Sequence, residues 1–473
     1  MLILLMALGC SKDRLAPESP DNDKPSLSTD VSLINFRFKN SANPKLESSC
    51  SSVSKENVIY ITVPQGIALD SLVPSFGINE KSSVKCGGKT IISDSSVVDF
   101  SQTAKFTVTS ESGAQKTYYV AVKNGISAID NKIYSFMFKH NIPGVSVSLS
   151  KDEEIVYSSG YGFTDNTHNS RITEHTMFRL ASMSKQHASI AILTLMENGK
   201  LKLEDTVFGK GGLLYETFGD EMSEEWKEIK VENLLTHTSG ITTDCIFTSA
   251  YSGTTQERVA KLLKNVSSLS GTGKIYSYNN SNFGILGLIV EKLSGKKFIN
   301  FLKDEVYGPL GLNNIDGGNN GAAKKNETNY TGQVKNGSMM NPYGNDVEAG
   351  VAAGGVIAST YDLMKLMTYI DYGTKVPDIF KKETLDRMYA PLNGIAYQGN
   401  KWNRYALGWR TNHPSFSFWP AYHGGTLAGV ATLWARGNNN INGVILCNSR
   451  SYTDDIDSEM MYLIKDFQDY YNF

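Results

Sequence analysis

The sequence predicts two folded domains: a small all-β sandwich over residues 30–124 and an α+β layered domain over residues 125–473. Three observations favour this division. Residues 31–123 contain short runs in which apolar and polar side chains alternate, with turn-forming residues between them. After Asn124-Gly125 the pattern changes to apolar helical periods mixed with strand-like runs. A chain of 473 residues is also too long for one domain of average size.

The first domain is indicated by strand-like segments at residues 34–38, 57–63, 106–109 and 118–122. Short strands separated by turns are typical of a sandwich. These segments resemble the small immunoglobulin-like modules near the start of many Bacteroidota lipoproteins. That resemblance implies a spacer or a binding module, because the segment carries no catalytic constellation.

The stretch before the first domain has the pattern of an export signal. Residues 1–9 are apolar, and a Pro-, Ser- and Asp-rich stretch runs from Cys10 to residue 29. We expect residues 1–9 to be a signal peptide and residues 10–29 to be a flexible tether. Ala7-Leu8-Gly9-Cys10 resembles a bacterial lipobox, which implies lipidation of Cys10 and a lipid-anchored protein of the cell envelope, at the outer membrane. The alternative is a disordered apolar N-terminus.

Composition excludes several classes of function. A net charge of -2 without a basic stripe argues against nucleic acid as a partner. No apolar run reaches 18 residues, so we expect no transmembrane helix. No spacing of Cys and His matches a zinc site, and we predict no metal. Cys50 and Cys86 lie in the same domain and could pair, whereas Cys447 in its apolar run is expected to be a buried thiol.

The second domain is predicted to place helices around an antiparallel sheet built from both ends of its chain. We expect helices at residues 129–140, 182–198, 281–293, 360–369 and 454–471. We expect strand pairs at residues 145–149 with 154–158, and at 430–435 with 443–447.

Ser182 and Lys185 carry the chemistry that the sequence predicts. They stand three residues apart at the start of an apolar helix, so their side chains share one face. A serine hydroxyl is a poor nucleophile until a neighbouring group takes its proton. A lysine amine can do so only when burial lowers its pKa, and the apolar helix provides that setting. The helix start also directs the Ser182 N–H and a positive dipole towards a developing oxyanion.

A Ser-x-x-Lys motif occurs by chance in many chains, but here it stands within an ordered series of motifs. Ile142-Pro143-Gly144-Val145, Leu234-Leu235-Thr236-His237-Thr238-Ser239-Gly240, Tyr278-Asn279-Asn280, Tyr405-Ala406-Leu407-Gly408-Trp409 and His423-Gly424-Gly425 surround it. This order resembles the class C β-lactamases and the penicillin-binding-protein-like serine hydrolases over residues 129–473. The resemblance implies a β-lactamase/transpeptidase-like fold, an antiparallel sheet flanked by helices plus a helical lobe, with the site between the two lobes.

The resemblance also assigns catalytic roles. Ser182 would be the acylated nucleophile, Lys185 its proton partner, and Tyr278 would share the base and acid duties.

Four further residues would bind the substrate or the oxyanion. Asn280 would orient Lys185 and the substrate. His423 and Gly425 fall on the family's third motif, on the strand that lines the cleft. The N–H of Thr426 would complete the oxyanion hole with that of Ser182.

One departure concerns this third motif, where the β-lactamases carry Lys-Thr-Gly. A histidine is neutral much of the time at pH 7, so His423 does not replace the fixed cation that attracts a substrate carboxylate. His423 could donate a hydrogen bond to substrate, change charge near neutral pH, or serve packing alone. We interpret His237 and His187 as structural.

The sequence therefore predicts a serine hydrolase that acts by two-step acyl transfer on an ester or an amide, without a cofactor. Its substrate would be a small molecule or peptide: a carboxylic ester or a D-amino-acid peptide, with β-lactams as secondary substrates. The rival hypothesis is a noncatalytic, surface-anchored binding protein that retains the fold. A second rival is an esterase that acts on lipid-like substrates.

Overall fold

A computed structural model of the chain describes residues 26–397 and 404–471. The predicted signal peptide, Cys10 and most of the predicted tether lie outside the described residues. Their assignments stay predictions.

The first domain consists of β-strands packed around an aromatic core. Its eight strands form a sheet in the order β4-β1-β2-β3-β8-β7-β5-β6, in which β3 and β8 run parallel. Phe36, Phe38, Phe100 and Phe106 pack against one another inside it, with ring centroids 5.2–6.3 Å apart. The all-β class of this domain is confirmed. Its strands are β1 Ile34–Phe38, β2 Cys50–Lys55, β3 Val58–Val63, β4 Ser75–Gly77, β5 Ser83–Cys86, β6 Lys89–Thr90, β7 Ala104–Thr109 and β8 Gln115–Asn124.

The second domain is built on a seven-stranded antiparallel sheet in the order β10-β9-β20-β19-β18-β17-β16. Both ends of the domain contribute to it, as predicted, because β9 pairs with β20. Three short strands form a second, smaller sheet in the order β11-β15-β12. The strands are β9 Gly144–Lys151, β10 Glu154–Gly162, β11 Phe178–Arg179, β12 Ile315–Gly317, β13 Val334–Lys335, β14 Ser338–Met339, β15 Val356–Ala358, β16 Arg404–Tyr405, β17 Arg410–Thr411, β18 Ala421–Leu427, β19 Val430–Arg436 and β20 Ile441–Cys447.

Helices cover both faces of this sheet, and the largest group forms a separate lobe. α1 and α11 pack on one face, while α2, α9 and the lobe pack on the other. The α+β class is confirmed. The helices are α1 Ser127–His140, α2 Ser184–Glu197, α3 Tyr215–Phe218, α4 Glu224–Lys227, α5 Val231–Leu235, α6 Thr255–Asn265, α7 Asn280–Ser294, α8 Phe298–Leu302, α9 Thr360–Met367, α10 Lys382–Tyr389 and α11 Ile456–Tyr471.

The two domains share a packed interface. Tyr60 of β3 stacks on Tyr134 of α1, with ring centroids 4.6 Å apart. The buried Asp130 accepts a 2.9 Å hydrogen bond from Thr62 Oγ1. Arg171 donates from Nη1 to the carbonyl oxygen of Val122 at 2.6 Å. The first domain is therefore fixed on the second through side chains of both.

The cysteines within the described residues carry free thiols. The pairing of Cys50 with Cys86 that the sequence allows is not formed, and Cys447 is buried as predicted. Among the described helices, none combines the length and the apolar character needed to cross a membrane.

Candidate active site

The predicted nucleophile lies on a tight turn that leads into α2. The sequence predicted a helix starting at Ser182, but a 3₁₀ turn spans Ala181–Met183 and α2 begins at Ser184. Ala181 has a φ of 49°, a left-handed conformation that is strained for a residue with a side chain. Ala181 and Met183 are buried, whereas Ser182 is partly exposed. The turn therefore presents Ser182 to solvent between two anchored neighbours.

Lys185 is completely buried beneath Ser182. Its Nζ lies 3.2 Å from Ser182 Oγ, 2.8 Å from Asn280 Oδ1 and 2.7 Å from the carbonyl oxygen of Ala353. Burial lowers the pKa of Lys185 well below its usual range. A neutral amine has two N–H groups and one lone pair. When the amine is neutral, its two N–H groups donate to these two carbonyl oxygens, which leaves the lone pair for the Ser182 hydroxyl.

Tyr278 lies on the other side of Ser182 Oγ. Its hydroxyl donates a 2.8 Å hydrogen bond to Ser182 Oγ, and its ring centroid lies 4.9 Å from Lys185 Nζ. Burial raises the pKa of Tyr278 to about 12, so the phenol keeps its proton at neutral pH. The structure thus brings the three predicted catalytic side chains together at distances that permit proton transfer.

Asn280, the first residue of α7, is placed where the sequence predicted it, beside Lys185. Its Nδ2 donates a 2.8 Å hydrogen bond to Asp244 Oδ2. Both ends of its amide are thereby occupied, one by Lys185 and one by Asp244. Sequence reasoning did not find Asp244, which lies 36 residues earlier in the chain on an irregular segment.

Gly425 allows β18 to lie directly against the turn that carries Ser182. A Cβ on Gly425 would collide with the carbonyl oxygen of Leu180 and with Thr432 Oγ1. Thr432 Oγ1 also donates a 2.9 Å hydrogen bond to that same carbonyl oxygen. The close approach brings the neighbouring Thr426 to the edge of the site, with its side chain exposed. The oxyanion role of its N–H stays a prediction.

The structure corrects the predicted contact between His423 and substrate. The imidazole is fully buried, and both of its nitrogens are occupied. Nδ1 donates to the carbonyl oxygen of Gly424 at 2.6 Å, so Nε2 is the acceptor for the Tyr405 hydroxyl at 2.9 Å. Burial lowers the pKa of His423 well below its usual range, so it stays neutral near pH 7. Of the three roles that the sequence left open, the structure favours packing. His237, also buried, accepts a 3.1 Å hydrogen bond from the N–H of Asn279.

A cation that sequence reasoning missed lies on the neighbouring strand. The guanidinium carbon of Arg410 is 5.6 Å from the centroid of the Tyr278 ring. Within the described part of the chain, no carboxylate lies within ion-pair distance of Arg410, whereas most other arginines have such a partner or donate to a carbonyl. The sequence signal that could have indicated Arg410 was its position directly after the motif Tyr405-Ala406-Leu407-Gly408-Trp409. In the structure, Arg410 of β17 pairs with Tyr422 of β18.

Comparison with known families agrees with this geometry. The family model described as Beta-lactamase matches residues 129–463. The chain belongs to the β-lactamase family. A second family model, described as SGBP, N-terminal, matches residues 41–122 within the all-β domain.

Curated relatives of this β-lactamase-family chain include Protein flp of Staphylococcus aureus. The copy from strain MRSA252 is 26% identical over 329 residues, which are 68% of this chain and 63% of that protein. The copy from strain MW2 is 25% identical over 327 residues, with the same coverage. The match thus spans less than two thirds of these relatives.

Solved structures share the fold of the β-lactamase-family domain. The octameric penicillin-binding protein homologue from Pyrococcus abyssi has a TM-score of 0.57 at 23% identity, covering 72% of this chain and 77% of its own. The D-amino acid amidase from Ochrobactrum anthropi SV3 has a TM-score of 0.58 at 18% identity, covering 73% and 100%. The β-lactamase/D-alanine carboxypeptidase from Pseudomonas syringae has a TM-score of 0.58 at 18% identity, covering 72% and 98%.

Proposed function

We propose that this protein is a serine hydrolase that forms an acyl-enzyme on Ser182 and hydrolyses amide or ester bonds. The observation that carries the proposal is the hydrogen-bonded trio of Ser182, Lys185 and Tyr278. A buried amine whose two N–H groups are taken by Asn280 and Ala353 points its lone pair at the serine hydroxyl.

In the first step, Lys185 takes the proton from Ser182 while Oγ attacks the substrate carbonyl. The carbonyl oxygen becomes an oxyanion, which the N–H groups of Ser182 and Thr426 would stabilise. As the tetrahedral intermediate collapses, Tyr278 donates its proton to the leaving amine or alcohol and is reprotonated from Lys185. Water then attacks the acyl-enzyme with the same groups in reverse, which releases the acid and restores Ser182.

Arg410 supports a substrate that carries a carboxylate close to the bond that is cleaved. The sequence alone argued against a preference for carboxylate-bearing β-lactams, because His423 stands where the family's lysine would be. A guanidinium binds a carboxylate through two parallel hydrogen bonds, and Arg410 beside Tyr278 has no described carboxylate partner of its own. This favours peptides that end in a D-amino acid over simple neutral esters, with β-lactams as secondary substrates. The neighbours named as a D-amino acid amidase and a D-alanine carboxypeptidase are compatible with that choice.

The alternative is a noncatalytic binding protein, which the match to the SGBP N-terminal model favours. On that hypothesis the second domain would bind its ligand without turning it over. We also propose that the protein is anchored in the cell envelope by a lipid on Cys10, because Ala7-Leu8-Gly9-Cys10 resembles a lipobox. Mass spectrometry of the mature N-terminus tests the anchor, and an unmodified Met1 would contradict it.

Labelling with a fluorophosphonate probe distinguishes the enzyme from the binding protein. We expect the wild-type protein to be labelled and to cleave D-Ala-D-Ala peptides, and Ser182→Ala to lose both activities. Ser189→Ala is the matched control, because Ser189 is a buried serine of α2, the helix that follows the turn of Ser182, and its Oγ has no described hydrogen-bond partner. Absence of labelling and of turnover with peptides, p-nitrophenyl esters and nitrocefin would support the binding protein instead.

A further inference from the structure

Asp244 lies behind the proton-transfer groups, on the segment between α5 and α6. Its Oδ2 accepts the 2.8 Å hydrogen bond from Asn280 Nδ2. Its Oδ1 accepts hydrogen bonds from the backbone N–H groups of Ile246 and Phe247, at 2.8 and 3.3 Å. The carboxylate is therefore fixed by its own chain on one side and presents one oxygen to the site.

We propose that Asp244 is a positioning residue for Lys185 and acts through the side-chain amide of Asn280. The inference rests on the proposed function, since Lys185 is the group that takes the proton from Ser182. A carboxylate only accepts hydrogen bonds, whereas an amide has one donating and one accepting end. With Nδ2 turned to Asp244, Oδ1 must face Lys185. In the reverse orientation, Oδ1 of Asn280 would face the Asp244 carboxylate, and its Nδ2 would face the N–H groups of Lys185.

The same segment also supports the second acceptor of Lys185. The Phe247 ring packs against Gly350 and Gly354, where a Cβ would approach the ring to within 3.0 Å. These two glycines flank Ala353, whose carbonyl oxygen accepts the 2.7 Å hydrogen bond from Lys185 Nζ. Residues 244–247 therefore contact the two groups that supply the oxygens around the amine, the Asn280 side chain and the segment of Ala353.

The charge of Asp244 acts on the amine as well. Burial lowers the pKa of Lys185, the Asp244 carboxylate raises it, and the Arg410 guanidinium lowers it. Replacing the carboxylate by a neutral group leaves burial and Arg410 unopposed. Lys185 would then lose its proton at lower pH and would be a weaker base.

The test is the rate of acylation by a fluorophosphonate probe, measured against pH in Asp244→Asn. The rate should rise with pH as Lys185 loses its proton. In the variant we expect this acid limb to move to lower pH, by about half a unit or more. We expect the plateau to fall about 10- to 100-fold, because the Asn280 amide is no longer held in one orientation. Asp244→Glu keeps the charge, so its limb should stay near that of the wild type while its plateau falls.

Asp371→Asn is the matched control. Asp371 is buried, accepts a 2.8 Å hydrogen bond from Asn442 Nδ2 and accepts another from the N–H of Gly373, but has no contact with Lys185. We expect the Asp371→Asn variant to be less stable than the wild type, while the acid limb of its pH–rate profile stays in place. An Asp244→Asn limb that stays in place, or the same shift in Asp371→Asn, would overturn the inference. If the proposed function itself is wrong, the wild-type protein will not be labelled at Ser182 at any pH.

Discussion

The hydroxyl oxygen of Tyr278 lies 2.8 Å from Ser182 Oγ and donates its proton to it. Because burial raises the pKa of Tyr278 to about 12, the phenol is a proton donor over the whole physiological range. In the proposed mechanism, this relationship makes Tyr278 the group that protonates the leaving atom, while Lys185 stays buried beneath Ser182.

Tyr278→Phe should therefore slow acyl transfer more for poor leaving groups than for good ones. We expect a loss of about 10²- to 10⁴-fold with an amide substrate, since general acid catalysis contributes that much. With p-nitrophenyl acetate, whose leaving group needs no proton, the loss should be clearly smaller. Equal losses with both substrates would contradict a role in protonating the leaving group.

Arg410→Ala should weaken binding of substrates that carry a carboxylate. Hydrogen bonds to charged groups contribute about 1.5–3 kcal/mol, so we expect kcat/KM for a D-Ala-D-Ala peptide to fall about 10- to 100-fold, chiefly through KM. The matched substrate is the same peptide with an amidated C-terminus, for which the variant and the wild type should differ little. Arg410→Lys should recover part of the loss. Equal losses of kcat/KM for the two peptides would contradict a role of Arg410 in binding the carboxylate.

His423→Lys tests the corrected role of residue 423. If His423 recognised the carboxylate of the substrate, its replacement by lysine should raise the rate of acylation by β-lactams. The structure predicts the opposite, because the new amine would be buried near Lys185 and Arg410, both of which already lower the pKa of His423. The variant would also lose the Tyr405 hydrogen bond. We expect a lower Tm and no faster acylation by nitrocefin. Tyr405→Phe removes the same hydrogen bond without adding a charge and serves as the control.

The fold was predictable from the sequence to the extent that it depends on local patterns. The alternating strands of the first domain and the long apolar helix after Ser182 follow from hydrophobic periodicity. Hydrophobic periodicity did not predict the residue at which that helix begins. Ala181 adopts a positive φ on a segment whose preceding residue, Leu180, is hydrogen-bonded to Thr432 of β19 and to Val356 of β15, and no local pattern indicates such strain.

The site was predictable where one motif carries the function and unpredictable where distant segments meet. Ser182, Lys185, Tyr278 and Asn280 lie in recognisable motifs and come together as expected. His423 was misassigned because the partner that occupies its Nε2, Tyr405, comes from β16 and reaches it only through sheet pairing. Asp244 was missed for the same reason, since its proposed role depends on a contact with Asn280 of α7 rather than on its neighbours in sequence.

The buried histidines predict how stability depends on pH. Burial lowers the pKa of His187 to about 3, and its Nδ1 accepts a hydrogen bond from the Tyr307 hydroxyl at 2.8 Å. The unfolded chain binds a proton at this position below about pH 6.5, but the folded protein does not until about pH 3. Between these values stability falls as pH falls, by about 1.4 kcal/mol per unit for one proton.

His187→Asn isolates this contribution, because other groups titrate in the same window with the opposite sign. Burial raises the pKa of Asp378 to about 6, so its proton uptake stabilises the folded state as pH falls. Such groups contribute equally to the pH dependence of stability in the wild type and in the variant, so their contributions cancel in the difference. From urea unfolding at pH 6.5 and 5, we expect the wild type to lose about 1.6 kcal/mol more than the variant, since the unfolded histidine is already half protonated at pH 6.5. An equal loss in both proteins would mean that His187 is protonated in the folded state.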